Sequence, residues 1–533
     1  MKANIKSKII AALLFCFSFF INFKIGIRTF GTEDFTHAIS GFAFLEGFDV
    51  RLLMYEPHNS MDFITLPFYF IFDPSYTTLR AVQAIFLGMS VVFFFLFSKK
   101  YFKSETKALL ASVFLISVPH FTLTVYHPEY PFLALFSTLT LYLLESIESK
   151  NNLKKILLLG FVIGIASFRK AIFLPYGILV VVAYLINQEK SLKNKFAGKN
   201  KGYLLAGFFL GFLPFLLSLL NSRGDGFLII SSVFQSIPKM IQGVIIRITQ
   251  LGELFLSPSR IYGSELALSN LAFFNILILL FSFGYLLVKK EEDFVFGLVP
   301  LAFSFIASIQ LINNKYSTTH LYILLPILTV ILISGLFKFS ESFFSNKPRK
   351  ATLFPILIIL VLILINGINS FNVYKSVDHK QAYEKEDQIA KVISDHNFDA
   401  IYDLTRLEKY PYWNMRIPFY TKGDVNYGSL DEEQVKNRII AHWYWEKMKE
   451  KKYPTEFSKI MEESRANENL LFLSVENLDQ KSSNLYDNKK INNKLGENYF
   501  KIKVHDQINR VNLLFWLYEN DRNKELKNKI KPH

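Results

Sequence analysis

The chain has 533 residues, 51% of them hydrophobic and 16% aromatic, with 55 phenylalanines and a formal net charge of +15. Apolar runs of about 18–23 residues recur along two thirds of its length, which excludes an ordinary soluble domain. The basic excess is divided into short clusters between those runs, which excludes the continuous basic face that nucleic-acid binding needs.

The first apolar run, about 9–27, follows a basic start (Lys2, Lys6, Lys8). No small-x-small cleavage pattern follows it, so it is expected to be an uncleaved first span rather than a signal peptide. Cys16 within it is the single cysteine, so no intrachain disulfide or cysteine-based metal site is available. Further runs follow at about 78–98, 107–125, 130–147, 154–168, 171–187, 203–220, 267–288, 294–312, 319–338 and 352–370. Each approaches the length that crosses about 30 Å of hydrocarbon at about 1.5 Å per residue. The pair 154–168 and 171–187 is short and reads either as two tilted helices or as one broken unit.

Lysine and arginine counts set the orientation. Lys99, Lys100 and Lys103 follow the second run, and Lys150, Lys154 and Lys155 the fourth. Lys190 to Lys201 follow the sixth, Lys289-Lys290 the eighth, and Lys347, Arg349 and Lys350 the tenth. All fall on the side of the basic N-terminus, which the positive-inside rule assigns to the cytoplasm. About eleven spans then place everything beyond about 370 outside. The predicted fold is an all-α polytopic membrane bundle (1–370) followed by an extracytoplasmic α/β domain (371–533). That domain is charged and mixed in sequence, with strand-like Phe398–Leu404, Leu470–Val475, Tyr499–His505 and Val511–Tyr518. Helical stretches Glu384–Ser394 and Glu432–Lys451 lie between them, and the lysine-rich end, Asn523–His533, reads as a loose tail.

The outer loops carry the chemistry-bearing residues. The first, 28–77, holds the acidic pair Glu33-Asp34 and an apolar stretch, Phe63–Phe72, too short to span. Adjacent carboxylates past a helix end act as a base toward a hydroxyl, as hard-metal ligands, or simply as solvated loop acids. Crowding raises one pKa of such a pair and keeps a proton acceptor near neutrality. Glu129, in Tyr126-His-Pro-Glu-Tyr130, opens the fourth span. It reads either as a third acid of one outer cavity or as a complement to the helix dipole.

Arg169-Lys170 stands on the predicted outer side, against the positive-inside pattern, facing either an anionic lipid phosphate or ordinary headgroups. Lys315 and His320, before the tenth span, offer a similar cation and imidazole. Arg80, opening the second span, reads as a snorkelling helix-end arginine. The outer loop 221–266 carries Phe234, Ile237, Ile241, Ile245, Ile248, Leu251 and Phe255 at helical spacing. A helix at about 234–255 is therefore predicted, either flat at the interface or packed on the bundle.

No P-loop, dinucleotide fingerprint, zincin motif or nucleophile elbow is present. Chemistry outside the cytoplasm needs a pre-activated substrate, and a polyprenyl-phosphate sugar carries its own leaving group within the bilayer.

In order and topology, the motifs over roughly 1–335 resemble the GT-C superfamily of membrane glycosyltransferases. The likeness is to the branch of the protein O-mannosyltransferases and lipid A aminoarabinose transferases. The first-loop acidic pair of that branch matches Glu33-Asp34, in the order Glu-Asp rather than the usual Asp-Glu. Ala38, Gly41 and Leu45–Asp49 match the amphipathic stretch that follows. Glu56-Pro-His58, Phe63–Phe72, Asp73-Pro-Ser75 and Leu79-Arg80 match the next segments, with Glu56, His58 and Asn59 where the family has a lysine. Glu129 matches the second-loop acid, Gly160–Pro175 the glycine-rich span ending in a cation and a proline, and Lys315–Pro326 a late cation-then-Leu-Pro pattern.

The resemblance implies transfer of a sugar from a polyprenyl-phosphate donor to an acceptor hydroxyl at the outer face, with inversion. It implies Glu33, Asp34 and Glu129 as catalytic residues and His58, Arg169, Lys170, Lys315 and His320 on the donor phosphate. Charge at the departing phosphate is met either by a divalent cation (Mg or Mn) on Asp34 and Glu129 or by those cations alone. The expected partners are the donor, membrane lipids and an acceptor that is a lipid, protein or glycan. The rival readings are a transporter or lipid-linked sugar flippase, an O-antigen-type polymerase or ligase, and a scaffold for the outer domain.

Overall fold

The structure is a computed structural model. It describes residues 2–26, 66–72, 75–122, 129–147, 152–169, 173–187, 199–221, 273–291, 293–310, 318–376, 380–403, 427–429, 468–476, 488–497, 499–506 and 511–530. The predicted helices at 234–255 and 432–451 lie outside these residues. The chain separates into two compact units, residues 1–29 with 80–378, and residues 30–79 with 379–533.

The first unit is helical. In chain order its helices are α1 (Lys2–Gly26), α3 (Tyr76–Phe102), α4 (Glu105–Ser117), the single turn α5 (Pro119–Thr122), α6 (Glu129–Ser146) and α7 (Leu153–Arg169). There follow α8 (Phe173–Asn187), α9 (Lys199–Asn221), α10 (Phe273–Val288), α11 (Phe294–Gln310), a 3-10 turn (Thr318–Leu324), α12 (Leu325–Phe343) and α13 (Pro348–Ser376). The short helix α2 (Leu66–Phe72) and the first turn of α3 belong to the second unit. Each apolar run read in the sequence coincides with one of these segments. The third is broken at Pro119, whose ring cannot continue the α4 ladder, and the tenth begins as a 3-10 turn.

Among the described residues, four segments are long and apolar enough to cross a membrane: Ile5–Gly26, Thr77–Phe102, Leu321–Phe343 and Pro348–Asn372. Leu13, Phe17 and Phe20 on α1 and Leu357, Leu364 and Phe371 on α13 are exposed, as lipid-facing side chains are. The first unit is accordingly a multi-pass membrane bundle.

Helices in hydrocarbon gain little from burying apolar side chains against one another, so they adhere by close backbone approach and internal hydrogen bonds. The tightest contact joins α7 to α9. Gly160 and Gly164 on one helix meet Gly207 and Gly211 on the other, each pair spaced i, i+4. A Cβ at any of the four would overlap the facing backbone: Leu204 O for Gly160, Phe208 O for Gly164, Leu157 O for Gly207 and Phe161 O for Gly211. Residue numbers rise together across the contact, so the helices run parallel. Gly177 packs on Ile163, closing α7 and α8 into an antiparallel hairpin. The short pair is therefore two helices. Asn275 of α10 accepts no such backbone approach but meets Asn366 of α13 side chain to side chain, donating to it at 2.8 Å with both residues buried.

The lysine-rich helix ends gather at one end of the bundle. Glu105, capped into α4 by Ser104, receives the Ser7 hydroxyl at 2.7 Å and pairs with Lys6 (3.1 Å) and Lys99 (3.7 Å). These contacts, led by the Ser7 hydrogen bond, hold its carboxyl below the usual carboxylate range. Asp293, 14% exposed in its side chain, pairs with Lys338 at 3.0 Å and accepts from the Tyr101 and Ser334 hydroxyls. Lys338 also reaches Glu291 (2.8 Å), and Lys107 pairs with Glu341 (3.0 Å) while lying over the Phe337 ring.

In the second unit, α14 (Lys380–Asp395), β1 (Ala400–Asp403), β2 (Tyr427–Ser429), β3 (Leu470–Val475), α15 (Asn488–Leu495), β4 (Tyr499–Asp506), β5 (Val511–Tyr518) and α16 (Asp521–Ile530) follow in order. The strands form one sheet, β2-β1-β3-β5-β4. Pairing is parallel from β2 to β3 and antiparallel from β3 to β4. Trp516 donates to Ser474 at 2.8 Å, and Ser474 donates to Asn492 of α15 at 2.7 Å.

The expected loose tail is corrected by α16. Asn520 accepts the Asn523 backbone N–H at 2.8 Å as its N-cap, Asp521 stands in the first turn and Lys527 and Lys529 in the last. Asn523, Leu526 and Ile530 are buried, and Asn523 meets His396 at 2.9 Å.

The glycine contact predicts a position-specific cost. Gly160→Leu or Gly207→Leu must push the two helix backbones apart and should cost at least the upper end of the ~1–3 kcal/mol of overpacking. Gly202→Leu on the same α9, where a Cβ meets nothing within 4 Å, should not. Thermal unfolding of the purified chain, followed by size-exclusion fluorescence, distinguishes the two.

Candidate functional site

Of the residues selected from sequence, Glu33, Asp34, His58, Lys170 and Lys315 lie outside the described residues. Glu129, Arg169 and His320 are placed by backbone. Glu129 is the first residue of α6, Arg169 the last of α7, and His320 stands in the 3-10 turn before α12.

These three positions belong to neighbouring helix ends. Tyr130, next to Glu129, accepts through its carbonyl the Tyr322 hydroxyl, two residues beyond His320. The two rings meet edge to face with centroids 4.7 Å apart. One turn into α8, the buried Tyr176 hydroxyl lies 2.6 Å from Ser137 Oγ on α6, and Ser137 donates to the Ile323 carbonyl at 2.9 Å. Phe173 and Phe303 pack on the Tyr176 ring, with centroids at 5.1 and 6.3 Å. Tyrosine suits such a junction because its ring fills apolar space while its hydroxyl finds a buried partner. Only residues 170–172 separate Arg169 from the start of α8, so the end of α7 is tied to the same knot.

The second span is aligned with this end. Phe86 of α3 packs on Phe132 of α6 at 4.4 Å, and Thr138 of α6 donates to Ser90 of α3 at 3.2 Å. The helices thus run parallel, and Arg80 lies within about one helical turn of the level of Glu129. Arg80 is 0% exposed and donates from Nη1 to Gln83 Oε1 at 2.7 Å. The expectation of snorkelling is corrected: the guanidinium is turned into the protein, where its charge is costly to hold unless it is matched. His120 on α5 is also buried, a position that the sequence reading does not single out. Its one sequence signal is a polar residue just after the helix-breaking Pro119.

The lysine-rich cluster lies at the opposite ends of α3, α6 and α12 from this knot. The bundle therefore has one end of paired lysines and carboxylates and another where Arg80, Glu129, Arg169 and His320 originate. Among the described residues no three His, Cys, Asp or Glu side chains gather as a metal site.

The knot has a measurable signature. Ser137→Ala should cost ~1–3 kcal/mol, because it strands the buried Tyr176 hydroxyl and the Ile323 carbonyl. Adding Tyr176→Phe should recover a fraction of that loss, a coupling that a double-mutant cycle of thermal unfolding reads directly.

Residues 61–217 match the dolichyl-phosphate-mannose-protein mannosyltransferase family model. This segment contains Arg80, Glu129, Arg169, Lys170 and both glycine pairs. No curated protein matches the chain by sequence. Among solved structures, ArnT from Cupriavidus metallidurans, determined bound to undecaprenyl phosphate, is similar with a TM-score of 0.57 at 10% identity. The alignment covers 96% of this chain and 98% of that one. The chain thus resembles the dolichyl-phosphate-mannose-protein mannosyltransferases over 61–217 and shares the fold of ArnT over nearly its whole length.

Proposed function

We propose that the chain is an integral membrane glycosyltransferase of about eleven spans. It moves a sugar from a polyprenyl-phosphate donor to an acceptor hydroxyl at the outer face, with its lysine-rich end and N-terminus in the cytoplasm. The observation that carries this reading is the mannosyltransferase-family segment at 61–217, set within the ArnT fold over nearly the whole chain. ArnT was solved with undecaprenyl phosphate, a lipid of the donor's chemical class.

In this mechanism Glu33 or Asp34 takes the proton of the acceptor hydroxyl. The oxygen attacks the anomeric carbon, the bond from that carbon to the phosphate oxygen breaks, and the configuration inverts. The polyprenyl phosphate leaves with the bonding electrons. Arg169, Lys170, Lys315, His320 and His58 supply positive charge to it, and the buried Arg80 adds a guanidinium near the level of Glu129. Preorganised charge at a developing phosphate contributes several kcal/mol when water is excluded. Asp34 and Glu129 are the residues that would hold a divalent cation, magnesium or manganese, and it would lend further charge to the phosphate. The remaining 371–533 stretch is read as an extracytoplasmic domain, and the acceptor as a lipid, protein or glycan of the envelope.

Two measurements test the assignment. Glu33→Gln with Asp34→Asn should lower transfer of labelled lipid-linked sugar by about 10²–10⁴-fold, the worth of a general base, while membrane insertion stays unchanged. Wild-type turnover in the double variant overturns the base. Reversing Arg169 and Lys170 to Glu should weaken donor binding roughly 10- to 100-fold, as expected for lost charge-assisted contacts. Unchanged donor affinity returns both residues to ordinary headgroup contact.

A further inference from the structure

A cavity of about 420 Å³ opens between α1, α4, α5 and α13, at the end of the bundle away from the lysine cluster. Its size falls in the range of small-molecule pockets, roughly 300–1,000 Å³. Phe17, Phe20, Ile116 and Phe371 make its wall, and the flanking faces of α1 and α13 are the exposed apolar ones. The polar groups of the wall are already engaged. Ser117 Oγ donates to Phe114 O at 2.7 Å and Ser370 Oγ to Ser117 O at 3.1 Å. The cavity therefore suits a hydrocarbon chain rather than a sugar.

Two details indicate what fills it. Gly367 lines the cavity from the middle of α13, and a Cβ there would meet nothing within 4 Å. Glycine in a helix interior is unfavourable relative to alanine. At Gly160 and Gly164 a facing backbone accounts for the glycine, whereas at Gly367 the space is left open toward the cavity. The second detail is Lys24, the cation on the cavity's lining. Its ammonium lies 5.6 Å from the Phe20 ring centroid, and it makes no ion pair among the described residues. Lys6, in the basic cluster, is 18 residues earlier on the same helix, or about 27 Å at about 1.5 Å per residue. That matches a hydrocarbon thickness of about 30 Å, so Lys24 stands at headgroup level of the opposite leaflet.

We propose that this cavity is a site for one acyl chain of an anionic bilayer phospholipid, with the lipid phosphate held on Lys24. The walls supply an apolar slot about 10 Å deep from Lys24 to Phe17, and the lysine supplies the complementary charge at its mouth. The helix ends joined by the Tyr130–Tyr322 contact belong to other elements than those lining this cavity.

Native mass spectrometry of the full chain in detergent, titrated with phosphatidylglycerol and phosphatidylcholine of identical chains, tests the assignment. One phosphatidylglycerol should be retained tightly per chain. Lys24→Gln should weaken it about fivefold, the worth of one lysine beside an anionic surface, and leave phosphatidylcholine unchanged. Gly367→Leu should abolish tight retention of phosphatidylglycerol without lowering the thermal unfolding temperature. Equal retention of the two lipids by the wild type, or undiminished phosphatidylglycerol on Gly367→Leu, overturns the site. Displacement of phosphatidylglycerol by a lower concentration of undecaprenyl phosphate overturns the choice of lipid. Retention is read without sugar transfer, so its failure leaves the enzymatic reading intact, and the reverse holds as well.

Discussion

The parallel contact between α7 and α9 sets the geometry of the bundle, because four glycines let two backbones approach where any side chain would separate them. Lipid tails solvate leucine as well as another helix does, so a membrane bundle needs such contacts to have a defined shape. The consequences run along α7. Its hairpin with α8 is fixed by Gly177 against Ile163, and that hairpin brings Tyr176 to Ser137. Ser137 in turn fastens the 3-10 turn through the Ile323 carbonyl. Arg169, at the end of α7, is thereby held near the helix end that Glu129 opens and the 3-10 turn that carries His320. Loosening the glycine contact would relax the helix ends from which the proposed site is built.

Charge is sorted along the same bundle. At the lysine end the carboxylates are engaged, with Glu105 under Ser7, Lys6 and Lys99, and Asp293 under Lys338, Tyr101 and Ser334. Glu145 accepts the Tyr184 hydroxyl at 2.5 Å near the same end. Paired in this way, half-buried ions act as fasteners between α1, α3, α4, α11 and α12, and they mark the depth at which those helices stop. The opposite end instead holds hydroxyls, amides and the buried Arg80.

The apolar runs are legible in the sequence because hydropathy is a local property, and lysine clusters betray the alternation of the loops because each cluster must avoid crossing the bilayer. The breaks are harder to read. Pro119 divides one run, and the 3-10 turn at Thr318–Leu324 carries no compositional mark. The α16 helix escapes a sequence reading because its apolar positions are few, yet Asn523, Leu526 and Ile530 fall on one buried face. Arg80 misleads because sequence alone gives an arginine at a helix start an exit to water. Only its complete burial in the folded bundle shows it turned inward. The meeting of these helix ends is the least legible feature, since Tyr130 and Tyr322 are 192 residues apart and no local pattern joins them.

The distribution of acids bears on where a catalytic base can come from. Among the described side chains of the first unit, the carboxylates are Glu105, Glu145, Glu291, Asp293 and Glu341, and all five belong to the lysine end. A base drawn from that set would stand across the hydrocarbon from Arg80 and from the helix ends of Glu129, Arg169 and His320. Such a base could not share a reacting centre with a donor whose phosphate is met at those ends. The proposed transfer therefore assigns proton removal to the first-loop pair Glu33-Asp34, with Glu129 as the other acid selected from sequence. Glu129 opens a helix, and the positive end of a macrodipole favours negative charge in a first turn. Glu33 and Asp34 are adjacent in sequence, and two carboxylates brought close together raise the proton affinity of one of them. On that reasoning the proposed transfer gives the pair the part of base and Glu129 the part of partner for positive charge.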